Sequence, residues 1–171
     1  MENNELIIRN VKKEDLEQVA EIIVTGWKTA YKGIIDDNYL NSLTIEKRYN
    51  KLLGNYLEDE FIVAELNGEI VGFSRYTLYS TSNEIKNIDG EIFSIYVRPK
   101  LKRNGIGTAI FTYVMNQFKN NGNKSIILGC FKENYQSRAF YEKMGGKVIY
   151  EKQVERGEKE YPEVFYNYII I

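Results

Sequence analysis

The sequence predicts an α/β fold, a mixed β-sheet with helices on both faces. Three observations point to it. Apolar residues recur every three or four positions in several stretches, β-rich runs separate those stretches, and turn residues stand at the junctions. The predicted order is β-α-α-β-β-β-α-β-α-β-β, which calls for a mixed sheet sandwiched by helices.

Glu5–Val11 reads as a strand. From Lys13 to Tyr31, apolar Leu16, Val19, Ala20, Ile23, Trp27, Ala30 and Tyr31 share one helix face. Glu14 and Asp15 sit in the first turn, where the helix dipole favours acids, and Gly33 follows as a stop. A second helical stretch runs from about Asp37 to Leu53, broken near Leu43–Thr44. Phe61–Leu66 and Glu69–Tyr79 flank Asn67-Gly68, a strong hairpin signal. Ser80–Gly90 is polar and reads as a loop. Glu91–Val97 is a strand stopped by Pro99. Gly105–Asn120 is a helix with Ile106, Ile110, Tyr113, Val114 and Phe118 on one side. Lys124–Cys130 is a buried strand. Asn134–Met144 is a short helix with Asn134 as N-cap and Gly145 just past its end. Two strands close the chain, about Lys147–Val154 and Glu163–Ile171.

With 171 residues and 43% hydrophobic content, one domain spanning 1–171 can bury a real core. No apolar run approaches the roughly 20 residues that span a bilayer, so no membrane association is expected. The start, Met-Glu-Asn-Asn-Glu, is too acidic and polar for a signal peptide. A single cysteine, Cys130, has no internal disulfide partner, which fits a reducing cytoplasmic location. A net charge of −1 argues against a nucleic-acid partner. The absence of histidine removes Ser-His-Asp and Cys-His catalysis and histidine metal sites, and one cysteine cannot build a thiolate cage, so no metal is expected. A general base must be a carboxylate, lysine, tyrosine or relayed water.

The chemistry concentrates in Ile92–Ile110. A strand enters a basic loop with two glycines, and the loop opens onto a helix. Backbone N–H groups at a helix start, reinforced by the dipole and by Lys100, Lys102 and Arg103, bind anions. The dinucleotide fingerprint fails because Ile110 stands where a third glycine is needed. Asn121-Gly122-Asn123-Lys124-Ser125 mimics the end of a Walker loop, but it follows a helix and lacks the first glycine.

A third pattern remains: a basic or polar residue, two further residues, then Gly-x-Gly or Gly-x-Ala. Lys102-Arg103-Asn104-Gly105-Ile106-Gly107, preceded by Val97-Arg98-Pro99, fits it. Here the chain resembles the GCN5-related N-acetyltransferase (GNAT) superfamily. Lys102 replaces the family's arginine or glutamine, which keeps charge but loses a planar donor. Asn134-Tyr-Gln-Ser137-Arg-Ala139-Phe140-Tyr141-Glu142-Lys143-Met144-Gly145 resembles a second family motif, with Gly146 in place of an aromatic residue.

The resemblance implies a three-layer, mostly antiparallel sheet and acetyl-CoA as co-substrate. It implies that the amides of Lys102, Arg103, Asn104, Gly105, Ile106, Gly107 and Thr108 hold the coenzyme pyrophosphate. The Glu91–Val97 strand would splay from Lys124–Cys130, and Ile95, Tyr96 and Val97 would meet the coenzyme's amide arm as a peptide meets a sheet edge. Asn134 and Ser137 would lie near that arm. Tyr141 would protonate the leaving thiolate. A thiol pKa of about 8.5 and a phenol pKa of about 10 make that transfer feasible. Glu91 is the expected base for the acceptor amine, with Asp89 and Glu133 as weaker alternatives. Trp27, Tyr31 and Tyr39 would border the acceptor pocket.

The expected reaction is direct acetyl transfer from acetyl-CoA to a primary amine, favouring a small molecule. A protein N-terminus or lysine is the alternative acceptor. A non-catalytic acyl-CoA sensor and a nucleotide-dependent oxidoreductase are readings from other classes. A monomer or homodimer is expected.

Overall fold

The computed structural model describes residues 5–58 and 60–171. The Met1–Asn4 start, read above as unlike a signal peptide, lies outside the described residues. Seven strands form one sheet in the order β1-β2-β3-β4-β5-β7-β6. They are β1 (Leu6–Asn10), β2 (Glu60–Leu66), β3 (Glu69–Thr77), β4 (Gly90–Val97), β5 (Ser125–Phe131), β6 (Lys147–Arg156) and β7 (Lys159–Ile169). Only β4 and β5 run parallel; every other neighbouring pair is antiparallel.

Helices α1 (Leu16–Ala30), α2 (Asp37–Ser42) and α3 (Ile45–Asn55) precede β2. The apolar stripe of α1, with Leu16, Val19, Ala20 and Ile23, packs with Leu52 of α3 onto Phe61, Val63, Ile70 and Phe73 of the sheet. Helices α4 (Ile106–Asn121) and α5 (Tyr135–Lys143) cover the opposite face. There Ile106, Ile110, Val114, Phe118 and Tyr141 meet Ile92, Ile126, Leu128, Val164 and Tyr166. The expected layers are present, and the element order matches except that the second helical stretch is two helices, α2 and α3. Among the described residues no helix is long and apolar enough to cross a membrane.

Local chemistry explains the boundaries. Asp36 caps α2 by accepting from the Asn38 and Tyr39 N–H groups, and Thr44 caps α3, so the break at Leu43–Thr44 is a capped restart. Asn67 and Gly68 take φ of 53° and 80°, the left-handed pair a two-residue hairpin requires. The Walker-like stretch is a helix stop: Gly122 closes α4 at φ 84°, and the buried Asn123 amide donates to the Leu78 carbonyl (3.1 Å) and the Asp89 carbonyl (2.5 Å).

Two elements differ from the sequence reading. The first helix begins with a 3₁₀ turn at Lys13–Asp15, because buried Asp15 turns its carboxylate to Arg9 and the Lys12 N–H. The last hairpin is longer than predicted, turning at Gly157. Pro162 falls within β7, opposite Gln153. Its carbonyl accepts from the Lys132 N–H on the β5 side, just beyond the end of that strand, so its missing N–H breaks no bond to β6.

Candidate active site

The anion loop is built as its residue types require. Arg98 anchors its base: its N–H donates to the Val71 carbonyl (2.8 Å), its Nε to the Ile70 carbonyl (2.7 Å), and Nη1 to Glu21 (3.0 Å). Pro99–Leu101 make one 3₁₀ turn. Arg103 and Gly105 then adopt φ of 68° and 78°, and α4 starts at Ile106. The Gly105 carbonyl accepts from Ala109, and no side chain caps the helix. The first-turn N–H groups of Ile106, Gly107 and Thr108 therefore have no intrahelical acceptor. Lys102 and Arg103 line the cleft beside them, and burial lowers the Lys102 pKa. Asn104 does not line the cleft, and the Ile106 side chain enters the core, which leaves only its backbone for a ligand.

A cleft of about 1190 Å³ runs from this loop through the sheet. It exists because β4 and β5 pair only over Gly90–Ile92 with Ile126–Leu128. The β3 partners step from Ser94 to Ile92, leaving Phe93 as a bulge, and bulges increase local twist. Past the bulge, Phe93–Val97 have an edge that pairs with no strand among the described residues, and Ile95, Tyr96 and Val97 all line the opening. A free strand edge beside uncapped helix N–H groups fits an elongated ligand with an anionic end and amides along its length.

Helix α5 forms the facing wall. Buried Asn134 accepts from the Ser137 N–H (3.2 Å), and both residues line the cleft. Tyr141 is 8% exposed and also lines it. The Tyr168 hydroxyl donates to the Tyr141 carbonyl (2.9 Å), which fixes the last turn. Burial, then the nearby Cys130 and Tyr96, holds the Tyr141 phenol well above its usual pKa, so it keeps its proton at neutral pH. Burial also pushes the Cys130 thiol up to about 12, which removes it as a nucleophile.

Beyond Tyr141 the cleft becomes aromatic. Trp27 and Tyr31 meet edge to face at 4.8 Å, and Phe131 packs against both at 6.0 and 5.0 Å. Trp27 and Tyr31 line the cleft. Tyr39 does not; it lies 6.1 Å behind Trp27 and supports it.

The carboxylates divide differently from expectation. Glu91 faces a neighbouring, smaller pocket and accepts a hydrogen bond from the Thr81 hydroxyl. Asp89 is structural, accepting from the Lys124 N–H (2.8 Å) and the Ser125 N–H (3.0 Å). Glu133 is not part of the cleft wall. Among the described residues the one carboxylate lining the main cleft is Glu163 on β7. It lies across Gly129 of β5: a Cβ there would sit 2.6 Å from Glu163 Oε1. Burial raises its pKa; Arg156 and Lys152 oppose that, and Glu91 adds to it. Glu163 and Arg156 were not singled out from sequence. The glycine in the middle of a buried strand was the available signal, since it marks close approach by another group.

Comparison with known proteins matches residues 27–146 to the acetyltransferase (GNAT) family. An uncharacterized N-acetyltransferase of Bacillus subtilis, YuaI, is 27% identical over 86% of this chain and 84% of its own length. Spermidine N(1)-acetyltransferase of Thermoplasma acidophilum is 26% identical over 82% of this chain and 88% of its length. The crystal structure of the PaiA N-acetyltransferase from Thermoplasma acidophilum in complex with coenzyme A superimposes with a TM-score of 0.72 at 26% identity, covering 93% and 98% of the two chains. With both sequence motifs placed on one cleft and the family match spanning most of the chain, the protein belongs to the acetyltransferase (GNAT) family and is an acetyl-CoA-dependent acyltransferase.

Proposed function

We propose that this enzyme acetylates the primary amine of a small molecule by direct transfer. The observation that carries the small-molecule reading is the closure of the acceptor end. The segment before α2 is tied to the β6–β7 hairpin: the Asp36 N–H donates to the Tyr161 hydroxyl (2.9 Å), and Lys159 Nζ meets Asp36 Oδ2 (2.5 Å). A bridge there supports a compact acceptor over an extended peptide. A cytoplasmic location is part of this reading, and the free, buried Cys130 is consistent with it.

The residues of the chain divide the work. Ile106, Gly107 and Thr108 N–H groups, with Lys102 and Arg103, hold the diphosphate. The free edge of β4 and the Asn134–Ser137 end of α5 hold the arm. Acetyl-CoA supplies a thioester carbonyl open to attack and a thiol leaving group. An alkyl amine of pKa about 10 is only about 0.1% neutral at pH 7, so a base must take a proton from its nitrogen. Glu163 is the better placed carboxylate because it borders the cleft; Glu91, one pocket away, is the alternative. Tyr141 Oη gives its proton to the departing sulfur, and the second proton lost by the nitrogen as its bond to the acyl carbon forms restores the phenol, so that one proton, the one taken by the base, is released to solvent. The protonated Cys130, its thiol buried and donating to the Phe131 carbonyl, supports direct transfer over an acyl-enzyme.

The test is thiol release from acetyl-CoA with a panel of small amines and lysine-containing peptides, using wild type, Glu163→Gln and Glu91→Gln. Turnover of peptides alone would overturn the small-acceptor reading. Loss of turnover in Glu91→Gln but not Glu163→Gln would reverse the base assignment. Tight acetyl-CoA binding without turnover on any amine would favour a sensor.

A further inference from the structure

Arg156 is the unusual cation of the acceptor end. Its guanidinium lies over the Phe131 ring at 5.4 Å, and its Nη1 donates to the Glu155 carbonyl at 2.7 Å. It lines the same cleft as Glu163. Lys132 just past β5, Lys152 on β6 and Lys159 at the start of β7 each pair with a carboxylate at 2.5–3.1 Å. Among the described residues Arg156 makes no ion pair within 4.0 Å, Glu163 included, although the two sense each other's charge. A carboxylate and an unpaired guanidinium thus face one aromatic chamber with a gap between them.

We propose that the acceptor is a zwitterionic amino compound, a primary amine that also carries a carboxylate, with its amine at Glu163 and its carboxylate on Arg156. This rests on the proposed acetylation of a small amine and narrows its substrate class. An arginine fork binds a carboxylate through two parallel N–H donors. A cation in the wall repels the second charge of a polyamine, and a single lining carboxylate is too few to balance several ammonium groups. Phe131 and Trp27 line the same cleft and offer aromatic surface to an apolar or aromatic side chain of the acceptor.

The experiment measures thiol release from acetyl-CoA by the full-length protein with matched acceptors: free amino acids, the corresponding carboxamides, and spermidine. The expected result is a kcat/KM for the acids about 10-fold or more above that for the carboxamides, the scale of one good charge-assisted contact. Arg156→Gln should bring that ratio close to one through the acid's KM, and Arg156→Lys should recover part of it. Wild-type turnover of carboxamides or spermidine at rates equal to or above the acids would overturn this inference alone. So would an Arg156→Gln that slows every acceptor equally. No thiol release with any amine would overturn both this inference and the small-amine reading beneath it.

Discussion

Lys159 and Asp36 form a 2.5 Å ion pair across 123 positions of chain, joining the segment before α2 to the β6–β7 hairpin. Asp36 is also the N-cap of α2, and its backbone N–H holds the Tyr161 hydroxyl, so three contacts converge on one residue. Gly157 lies against Tyr39, which in turn backs Trp27. The aromatic end of the cleft is thereby supported from the hairpin.

That support is open to direct test. Lys159→Ala combined with Tyr161→Phe removes the bridge while keeping the Asp36 cap. Because the ion pair is exposed, the effect is modest: the acceptor KM rises about 3-fold, acetyl-CoA KM is unchanged, and the melting temperature barely moves. Steady-state kinetics with each substrate varied in turn checks it. A change confined to acetyl-CoA KM would contradict the role of the bridge.

Tyr141→Phe removes one oxygen from a buried phenol and leaves the packing intact. If the hydroxyl delivers its proton to the leaving sulfur, kcat falls about 10-fold or more while acetyl-CoA affinity is retained. Single-turnover rates and coenzyme binding by calorimetry separate the two. A variant with wild-type kcat ends the assignment.

Gly105 holds φ 78° with open space around a built Cβ, so the constraint there is conformational and not steric. Gly105→Ala carries the left-handed penalty of about 1–2 kcal/mol. Relaxation of the loop would disturb the amides proposed to hold the diphosphate, and a penalty of that size spent there raises acetyl-CoA KM roughly 5- to 30-fold. The acceptor KM should stay as it is.

The acid limb of activity should report Glu163. Burial raises its pKa, with Arg156 and Lys152 pulling the other way. A base must be ionised to act, so kcat/KM falls as pH drops through that raised value, at a pH above the ordinary glutamate figure of about 4.3. Glu163→Gln should remove this limb together with most of the rate. A limb that persists in Glu163→Gln and vanishes in Glu91→Gln would move the role to Glu91.

Asp15 governs stability rather than chemistry. It is 4% exposed; burial works against its charge, but the Arg9 hydrogen bonds and the Lys12 N–H outweigh this and leave its pKa below the usual 3.8. A carboxyl depressed by folding adds stability above its unfolded pKa and loses it as pH falls through the folded value. Urea unfolding should show that loss below about pH 4 in wild type and not in Asp15→Asn. Asp15→Ala at neutral pH leaves Arg9 with Glu65 and the Asn10 carbonyl as its partners and should cost about 3 kcal/mol.

Much of the architecture was legible because its signals are local. The helical stripe of Leu16–Tyr31, the Asn67-Gly68 turn, the Asn134 cap and the Lys102–Gly107 loop each act within a few residues, where spacing and backbone preference decide the outcome. The same holds for the two family motifs and hence for the coenzyme end of the cleft. The acceptor end obeys different physics. Glu163 and Gly129 are 34 positions apart in sequence and Lys159 and Asp36 are 123 apart; the mid-strand glycine marks a close approach without saying which side chain makes it, and the ion pair has no local signature. Glu91 is the base expected from sequence because it begins the predicted central strand, where the resembling family often carries a glutamate, but a bulge at Phe93 and the arrival of β7 beside β5 put another carboxylate at the cleft. Periodicity and caps, written in the sequence itself, determined the elements and the anion loop. Strand order and the early parting of β4 from β5 brought distant side chains together, and so the tertiary structure alone decided which charges line the far end of the cleft.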